Sequence, residues 1–276
     1  MKTTHIAFIG GGNMARSLVG GLIADGCNPQ YIWVSDPNVR QRKILHDQFN
    51  IITDADNCAV ADKATVLILA VKPQVLRNVA AQLAATIQRN KPLAISVAAG
   101  VRESDLRHWL GGAVPIVRTM PNTPAMVGSG ATALFANEWV SEKQRQLAES
   151  ILRAVGLTVW VPEEVMLDTV TALSGSGPAY FFLVMEALEQ AGTKLGLPPD
   201  IARLLSLQTA FGAGKMALES NESPAALRQR VTSPRGTTEQ AIAVLQEGEL
   251  EALFFKALDA ARQRSKELGV LLGGEP

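Results

Sequence analysis

The chain has few of the features that mark secreted, metal-binding or nucleic-acid-binding proteins. Its 276 residues include only two cysteines and three histidines. Cys27 and Cys58 have neither metal-site nor redox-pair spacing, so we expect two free thiols in the cytoplasm and no metal site. Lysine plus arginine and aspartate plus glutamate both number 26. This balance predicts no nucleic-acid partner and no attraction to a membrane surface.

Long apolar runs are also missing, although 47% of the residues are hydrophobic. Runs such as residues 66–71 are far too short to span a bilayer. The first apolar run belongs to a glycine motif, so no signal peptide is expected. A chain of this length predicts one large and one smaller domain.

A glycine motif near the start of the chain predicts a dinucleotide site. Gly10, Gly12 and Ala15 follow a short apolar run and lead into a helical pattern. The first glycine permits a tight turn, the second lets backbone N–H groups approach a pyrophosphate, and the small third residue lets the helix pack on its strand. The N–H groups at the helix start favour phosphates. The predicted cofactor contacts of this motif are Gly10, Gly12, Asn13, Met14 and Ala15.

Short apolar strands alternate with helices through the first 160 residues. This alternation predicts an α/β fold with a parallel, doubly wound sheet of the Rossmann type. We place a dinucleotide-binding domain at residues 1–162, with its boundary after Pro162. The predicted strands are residues 5–9, 31–35, 51–52, 66–71, 93–97, 114–117, 131–135 and 157–161.

Three further strand ends carry loops that point to a ligand. In open α/β sheets, ligands bind beyond the carboxyl ends of the strands. Each loop alone is explained by a turn, but their occurrence at successive strand ends favours a site around the nicotinamide end of the cofactor. The predicted contacts are Ala70, Val71, Lys72, Pro73, Ala98, Ala99, Gly100, Asn122 and Pro124.

The end of the second strand leaves the coenzyme open. Asp36 suits the ribose hydroxyls of NAD and repels a 2′-phosphate. Arg40, Arg42 and Lys43 follow closely and can bind that phosphate. An Asp-Pro turn before a solvated helix explains the same residues equally well. The predicted cofactor contacts here are Ser35, Asp36 and Arg40.

Beyond residue 163 the pattern becomes helical. Residues 178–191 are apolar on nearly every side, which predicts burial in a larger core or between subunits. We therefore predict an all-helical substrate-binding and dimerisation domain at residues 163–276, and a homodimer. Further helices are predicted at residues 200–219, 224–230, 237–247 and 250–267.

Two segments of this half place several small or hydroxyl-bearing residues before a helix. They are residues 173–180 and 231–238. Hydroxyl and N–H groups at a helix start suit a carboxylate. Ordinary N-capping explains one hydroxyl at each helix and leaves the others unexplained.

Taken together, the motifs resemble those of the pyrroline-5-carboxylate reductase family. The matching pieces occur in the family's order over nearly the whole chain. One departure is Arg235, where the family often has glycine. The pieces are residues 8–15, 70–73, 96–100, 120–124, 174–180 and 232–238.

The resemblance implies hydride transfer from NADPH or NADH to C5 of 1-pyrroline-5-carboxylate, giving L-proline in the last step of proline biosynthesis. It implies that Thr238 is catalytic, by hydrogen-bonding the ring nitrogen, and that Ser233, Gly236 and Thr237 hold the carboxylate. It leans toward NADPH and allows dimers to assemble into a ring. The implied floor of the substrate site is Ser174, Gly175, Ser176, Gly177 and Pro178.

Two other functions stay open at this point. Lys215 invites comparison with 3-hydroxyacid dehydrogenases, which use a lysine on a helical second domain, although their wider substrate motifs are absent. The second alternative is a dinucleotide sensor without turnover. The hydroxyl-rich segments at two helix starts argue against a sensor.

Overall fold

The computed structural model describes residues 4–274, which form two compact units. The first unit runs to Ser176 and includes the chain from Ala260 onward. The second unit is Gly177–Asp259. A domain boundary after Pro162 stays a prediction, because it follows the change from strands to helices and not the division by contacts.

The first unit is built on an eight-stranded sheet. Its order is β3-β2-β1-β4-β5-β6-β7-β8. β1 pairs in parallel with both β2 and β4. The chain adds β2 and β3 on one side of β1 and then continues with β4 on the other side. The strands are β1 Ile6–Ile9, β2 Ile32–Ser35, β3 Ile52–Asp54, β4 Val66–Leu69, β5 Leu93–Ser96, β6 Ile116–Met120, β7 Gly130–Ala136 and β8 Gly156–Trp160.

Helices cover both faces of this sheet. Phe8 points into one apolar cluster with residues of α1 and α6, whereas Ile9 points into another with residues of α3, α4 and α5. All four residues of β1 are buried, and their side chains alternate between the two clusters, as expected for a strand covered on both faces. The predicted doubly wound α/β class is confirmed. The helices are α1 Asn13–Ala24, α2 Val39–Phe49, α3 Asn57–Asp62, α4 Pro73–Asn90, α5 Glu103–Trp109, α6 Glu142–Arg153 and α7 Met166–Val170.

The sequence predicted a parallel sheet, but one pair of neighbouring strands is antiparallel. β7 pairs with β6 in antiparallel orientation, with Met120 opposite Ala133. Only residues 121–129 join the two strands, and they contain the 3₁₀ turn Thr123–Val127. A parallel neighbour needs a crossover of about a dozen residues or more, so this connection is too short for one. β8 then pairs in parallel with β7.

Two short elements were missed from the sequence. α3 is six residues long, too short to show a helical apolar period. α7 leads into the π-helical turn Thr171–Gly175, closed by a hydrogen bond of 2.8 Å from the Ser176 N–H to the Thr171 carbonyl. Single π turns are rare and often occur at functional sites.

Both cysteines are free thiols, as expected. Cys27 lies buried just after α1, and burial raises the pKa of its thiol. Cys58 is half-buried in α3. A raised pKa keeps the Cys27 thiol protonated and unreactive near neutral pH.

The second unit is helical, with α8 Gly177–Lys194 packed on α9 Pro199–Glu219, followed by α10 Pro224–Arg230 and α11 Thr237–Glu247. α12, Leu250–Gly273, begins in this unit and ends in the first. Phe181, Phe182, Leu204 and Phe211 are each more than 60% exposed in the single chain. Apolar surface of this kind marks an interaction site. Within residues 4–274, no helix is long and apolar enough to cross a membrane.

Candidate active site

The turn between β1 and α1 lies where β1 separates β2 from β4. Gly10 has a φ of 97° and donates its N–H to the Ser35 carbonyl at 2.8 Å. A Cβ on Gly10 would meet the carbonyl oxygen of Ala70 at 2.7 Å. Both the left-handed φ and the close approach of the β4 backbone therefore require glycine at this position.

Gly12 has different surroundings from Gly10. Its φ of −69° suits any residue, and a Cβ there would meet no protein atom within 4 Å. It begins α1 without a side-chain cap, and the first turn of α1 contains no acidic residue. The open space beside Gly12 therefore faces a helix start with a partial positive charge, which suits a phosphate.

Ala15 allows α1 to pack closely on the sheet. It is fully buried among residues of the β1 cluster. Asn13 and Met14 form the first residues of α1. The turn thus has the three features that the glycine spacing predicted, and its contacts with a cofactor stay a prediction.

The Asp36 carboxylate braces the glycine turn. Its Oδ2 accepts the Gly11 N–H at 2.9 Å, and its Oδ1 accepts the Asn38 N–H at 2.8 Å. The second contact is the local Asp-Pro turn that the sequence allowed. Since a carboxylate oxygen has two lone pairs, each oxygen keeps one for a ribose hydroxyl. The structural role and the predicted cofactor role are therefore compatible.

The three basic residues after Asp36 have different surroundings. Arg42 is half-buried, and its Nη1 donates to the Asp36 carbonyl at 2.6 Å. Arg40 and Lys43 are exposed on α2. Arg40 lies in the first turn of that helix, which Asn38 caps. Arg40 is thus better placed than Arg42 for a 2′-phosphate.

Ser35 has a partner that sequence reasoning did not single out. Its hydroxyl donates to Asn57 Oδ1 at 2.7 Å, so the end of β2 is tied to the start of α3. Asn57 follows Asp56, which caps α3. The Asp-Asn pair is a helix-start signal that could have located this short helix.

The two loops after β4 and β5 differ in how they use small residues. Ala70 lies against Gly10, whereas Lys72 occupies the N-cap position of α4 without a side-chain capping bond and Pro73 is its first residue. Gly100 has a φ of 78°, and a Cβ there would lie 3.1 Å from Leu272 Cδ1. The left-handed φ and the closeness of α12 therefore favour glycine at position 100, independently of any cofactor.

The loop after β6 contacts residues 173–180, which are predicted to bind substrate and are called the first substrate segment below. Asn122 Nδ2 donates to the Ser174 carbonyl at 3.1 Å. Pro124 is half-buried in the following 3₁₀ turn. The Ser174 hydroxyl donates to the Val170 carbonyl at 3.1 Å, so it serves its own helix. Gly175 lies against the Met120 side chain, because a Cβ there would meet Met120 Cε at 2.4 Å.

Residues 231–238, the second segment predicted to bind substrate, form a turn before α11. The Gly236 N–H donates to the Ser233 carbonyl at 3.0 Å. Arg235, the third residue of this turn, has a φ of 59°. A turn with proline second and a positive φ third is the type II pattern, which favours glycine or asparagine at the third position. This explains why glycine suits the position that holds Arg235 here.

The start of α11 remains open to an anion. Gly236 begins the helix without a side-chain cap. Glu239 is the acidic residue of the first turn, and its carboxylate accepts the Arg235 N–H at 2.7 Å. Thr237 and Thr238 are the first two residues of α11. Their hydroxyls and the helix N–H groups form the kind of site that binds a carboxylate.

The predicted site residues fall into two groups in the structure. All the predicted cofactor contacts lie in the first unit, together with Ser174, Gly175 and Ser176. The second unit contains Gly177, Pro178 and the residues from Ser233 to Thr238. Their assembly into one active site stays a prediction.

The fold and the glycine turn define an α/β protein of the dinucleotide-binding class. Residues 5–100 match a family model described as NADP oxidoreductase, coenzyme F420-dependent. Residues 164–268 match the model described as pyrroline-5-carboxylate reductase dimerisation.

Full-length relatives identify the family. A pyrroline-5-carboxylate reductase of Pseudomonas aeruginosa is 50% identical over 99% of this chain and 100% of its own. The structure of a pyrroline-5-carboxylate reductase from Coxiella burnetii is 51% identical, covers 97% of this chain and 99% of its own, and has a TM-score of 0.94. The NADP-bound pyrroline carboxylate reductase of Plasmodium falciparum is 27% identical over 98% of this chain and 100% of its own, with a TM-score of 0.86. The chain belongs to the pyrroline-5-carboxylate reductase family.

The open space at Gly12 predicts that Gly12→Ala separates folding from cofactor binding. The free energy of unfolding should change by no more than about 1 kcal/mol, because the new methyl group meets no protein atom and alanine is a slightly poorer N-cap than glycine. The dissociation constant for NADPH should rise about tenfold or more, since the methyl group fills the space beside the helix start. Calorimetry and a melting curve check the two effects.

Gly10→Ala is the matched control. Its left-handed φ and the clash with the Ala70 carbonyl should lower the free energy of unfolding by about 2–5 kcal/mol. Normal NADPH affinity in Gly12→Ala would contradict the phosphate site at this turn.

The left-handed Arg235 predicts that Arg235→Asn stabilises the protein by about 0.5–1 kcal/mol, because asparagine tolerates this conformation better. Arg235→Val should destabilise by about 1 kcal/mol, since a β-branched residue tolerates it least. Arg228→Asn, on the right-handed backbone of α10, should bring no gain. Urea unfolding of the three variants makes the comparison, and the same gain at both arginines would rule out the backbone explanation.

Proposed function

We propose that this chain is an NADPH-dependent pyrroline-5-carboxylate reductase. The observation that carries the proposal is its full-length relation to enzymes of that name, at 50% identity for the one from Pseudomonas aeruginosa. NADPH, when bound, supplies a hydride to C5 of the protonated imine of 1-pyrroline-5-carboxylate. The product is L-proline.

The residues of the two substrate segments suit this substrate. Residues 173–180 and 231–238 contain no histidine, aspartate, glutamate or lysine. A protonated imine accepts hydride without a strong general acid, so the protein mainly needs to hold the ring in place. Ser233, Gly236 and Thr237 hold the carboxylate at the uncapped start of α11.

Thr238 is the catalytic residue of this proposal. It lies half-buried in the first turn of α11, after three of the residues that hold the carboxylate. Its hydroxyl hydrogen-bonds the ring nitrogen and can relay a proton to it. The segment of Ser174, Gly175, Ser176, Gly177 and Pro178 forms the floor beneath the ring.

NADPH is the preferred coenzyme, with NADH as a weaker substitute. Exposed Arg40 in the first turn of α2 supports binding of the 2′-phosphate. The reductase of Plasmodium falciparum is an NADP-bound relative. Asp36 opposes this preference by its charge, so the coenzyme must be measured.

The protein acts as a homodimer in the cytoplasm, and its dimers can assemble further into a ring. The exposed apolar side chains of α8 and α9 support burial against a second copy. The match of residues 164–268 to a dimerisation model supports the same surface. The two free thiols support a reducing compartment.

One assay separates this function from its alternatives. Purified protein is mixed with 1-pyrroline-5-carboxylate or a 3-oxo acid, and NADPH or NADH oxidation is followed by absorbance. We expect turnover of the first substrate alone, with a higher kcat/KM for NADPH. Turnover of the 3-oxo acid alone would favour a 3-hydroxyacid dehydrogenase. Coenzyme binding without turnover of either substrate would favour a sensor.

Lys215 does not support the dehydrogenase alternative. It is exposed on α9, and its Nζ lies 3.8 Å from Glu219 Oε1 on the same helix. Such pairs are ordinary features of a solvated helix surface.

Thr238→Ala tests the role of the hydroxyl at the ring nitrogen. We expect kcat to fall about tenfold or more, while the dissociation constant for NADPH stays unchanged. Thr232→Ala is the matched control, because the Thr232 hydroxyl donates to the Arg228 carbonyl of the preceding helix α10 at 2.7 Å. Equal kinetics in wild type and Thr238→Ala would remove Thr238 from the mechanism.

A further inference from the structure

The carboxamide of Asn122 joins two segments that are distant in sequence. Its Nδ2 donates to the Ser174 carbonyl at 3.1 Å, 52 residues along the chain. Its Oδ1 accepts the Ala131 N–H of β7 at 2.8 Å. Aspartate could keep only the second contact, because a carboxylate has no N–H to donate. Asparagine is therefore specifically suited to bridge a carbonyl and an N–H group.

The Ser174 carbonyl needs a partner from outside its helix. In an α-helix it would accept the N–H four residues later, but residue 178 is proline and has no N–H. The π turn Thr171–Gly175 further alters the hydrogen bonding of this stretch. Asn122 thus supplies a donor that the local sequence withholds, and the first substrate segment is attached to the sheet through it.

A second contact supports the same attachment. Gly175 lies so close to Met120 that even a Cβ would have to displace the Met120 side chain. Met120 is the last residue of β6, and Asn122 follows two residues later. The end of β6 therefore contacts two consecutive residues of the substrate segment.

The position of these contacts gives them a functional meaning. The carboxyl end of β6 lies at the same edge of the sheet as the glycine turn, because β1, β4, β5 and β6 are parallel. Ligands of open α/β sheets bind at this edge. The loop after β6 is predicted to contact the nicotinamide, and Ser174 to contact the substrate.

We propose that Asn122 is a positioning residue, which holds the Ser174 backbone against the end of β6 and so sets the distance between the hydride donor and C5 of the substrate. The inference rests on the proposed reductase function. It reassigns the Asn122 side chain, which the sequence marked as a cofactor contact, to a link between the cofactor loop and the substrate segment.

The test compares Asn122→Ala and Asn122→Asp with wild type in the reductase assay. Small misplacements of reacting groups cost up to about a hundredfold in rate, so we expect kcat to fall about 10- to 100-fold. The KM for NADPH should stay within about threefold, because the carboxamide binds protein atoms. Deuterium at the transferred position of NADPH should give a larger isotope effect on kcat than in wild type, because hydride transfer becomes slower.

Asn137→Ala is the matched control on the same pair of strands. Asn137 Oδ1 accepts the Ile116 N–H at 3.1 Å, and its Nδ2 donates to the Val114 carbonyl at 3.0 Å. It therefore makes the same kind of bridge at the opposite end of β6. We expect lower thermal stability in both asparagine variants, but an altered kcat and isotope effect only at position 122.

Three results would overturn the inference while wild type remains an active reductase. One is a kcat and isotope effect in the Asn122 variants equal to those of wild type. Another is a loss that appears only as a raised KM for NADPH, which would make Asn122 a cofactor ligand. The third is an equal fall in kcat in Asn137→Ala. Inactive wild-type protein would instead refute the proposed function.

If neither Asn122 variant folds, hydrogen exchange of the wild-type protein decides. Saturating NADP⁺ should protect peptides from residues 121–131 and from residues 170–176 together, because the carboxamide couples them. Protection of the first peptide alone would refute the link.

Discussion

The close approach of Gly10 to Ala70 is the constraint on which the site depends. β1 pairs with β2 on one side and β4 on the other, so the backbone after β1 is flanked by the residues that follow β2 and β4. With the Ala70 carbonyl 2.7 Å from the position of a Cβ, no side chain fits at Gly10. The left-handed turn that results starts α1 directly over the edge of the sheet. Because β1, β4, β5 and β6 are parallel, the start of α1 and the loops after these strands lie at the same edge of the sheet.

Gly10, Gly12 and Gly100 have different surroundings in the structure, and the sequence does not distinguish them. Gly10 is required by its φ and by a neighbouring backbone, whereas a Cβ on Gly12 would meet open space. Gly100 has a left-handed φ of 78° and also lies close to Leu272 of α12. A Cβ at Gly12 would meet no protein atom, so glycine there keeps space free beside the uncapped start of α1, where a phosphate can bind. Of the three positions, Gly12 is therefore the strongest structural argument for a bound dinucleotide.

The sequence predicted the class of fold and the glycine turn, because both depend on local spacing. It did not predict the direction of β7, since a short apolar run indicates a buried strand but does not give its direction. Nor did it predict the Asn57 contact with Ser35 or the Glu239 contact with Arg235, which depend on side-chain geometry. Arg235 stood out as a departure from the family pattern. Its φ of 59° explains why glycine suits this position, and the sequence alone does not show that φ.

The antiparallel turn of β7 bears directly on the substrate segment. Because β7 starts beside the end of β6, the Ala131 N–H lies within reach of the Asn122 carboxamide oxygen. A parallel β7 would start at the opposite edge of the sheet and leave that oxygen without this partner. With its oxygen held by the Ala131 N–H, the carboxamide directs its N–H groups toward the Ser174 carbonyl. Pro178, four residues after Ser174, has no N–H to donate to that carbonyl. Among the described strands, β7 is the one whose direction the sequence did not predict. That direction orients the Asn122 side chain, which holds the first substrate segment.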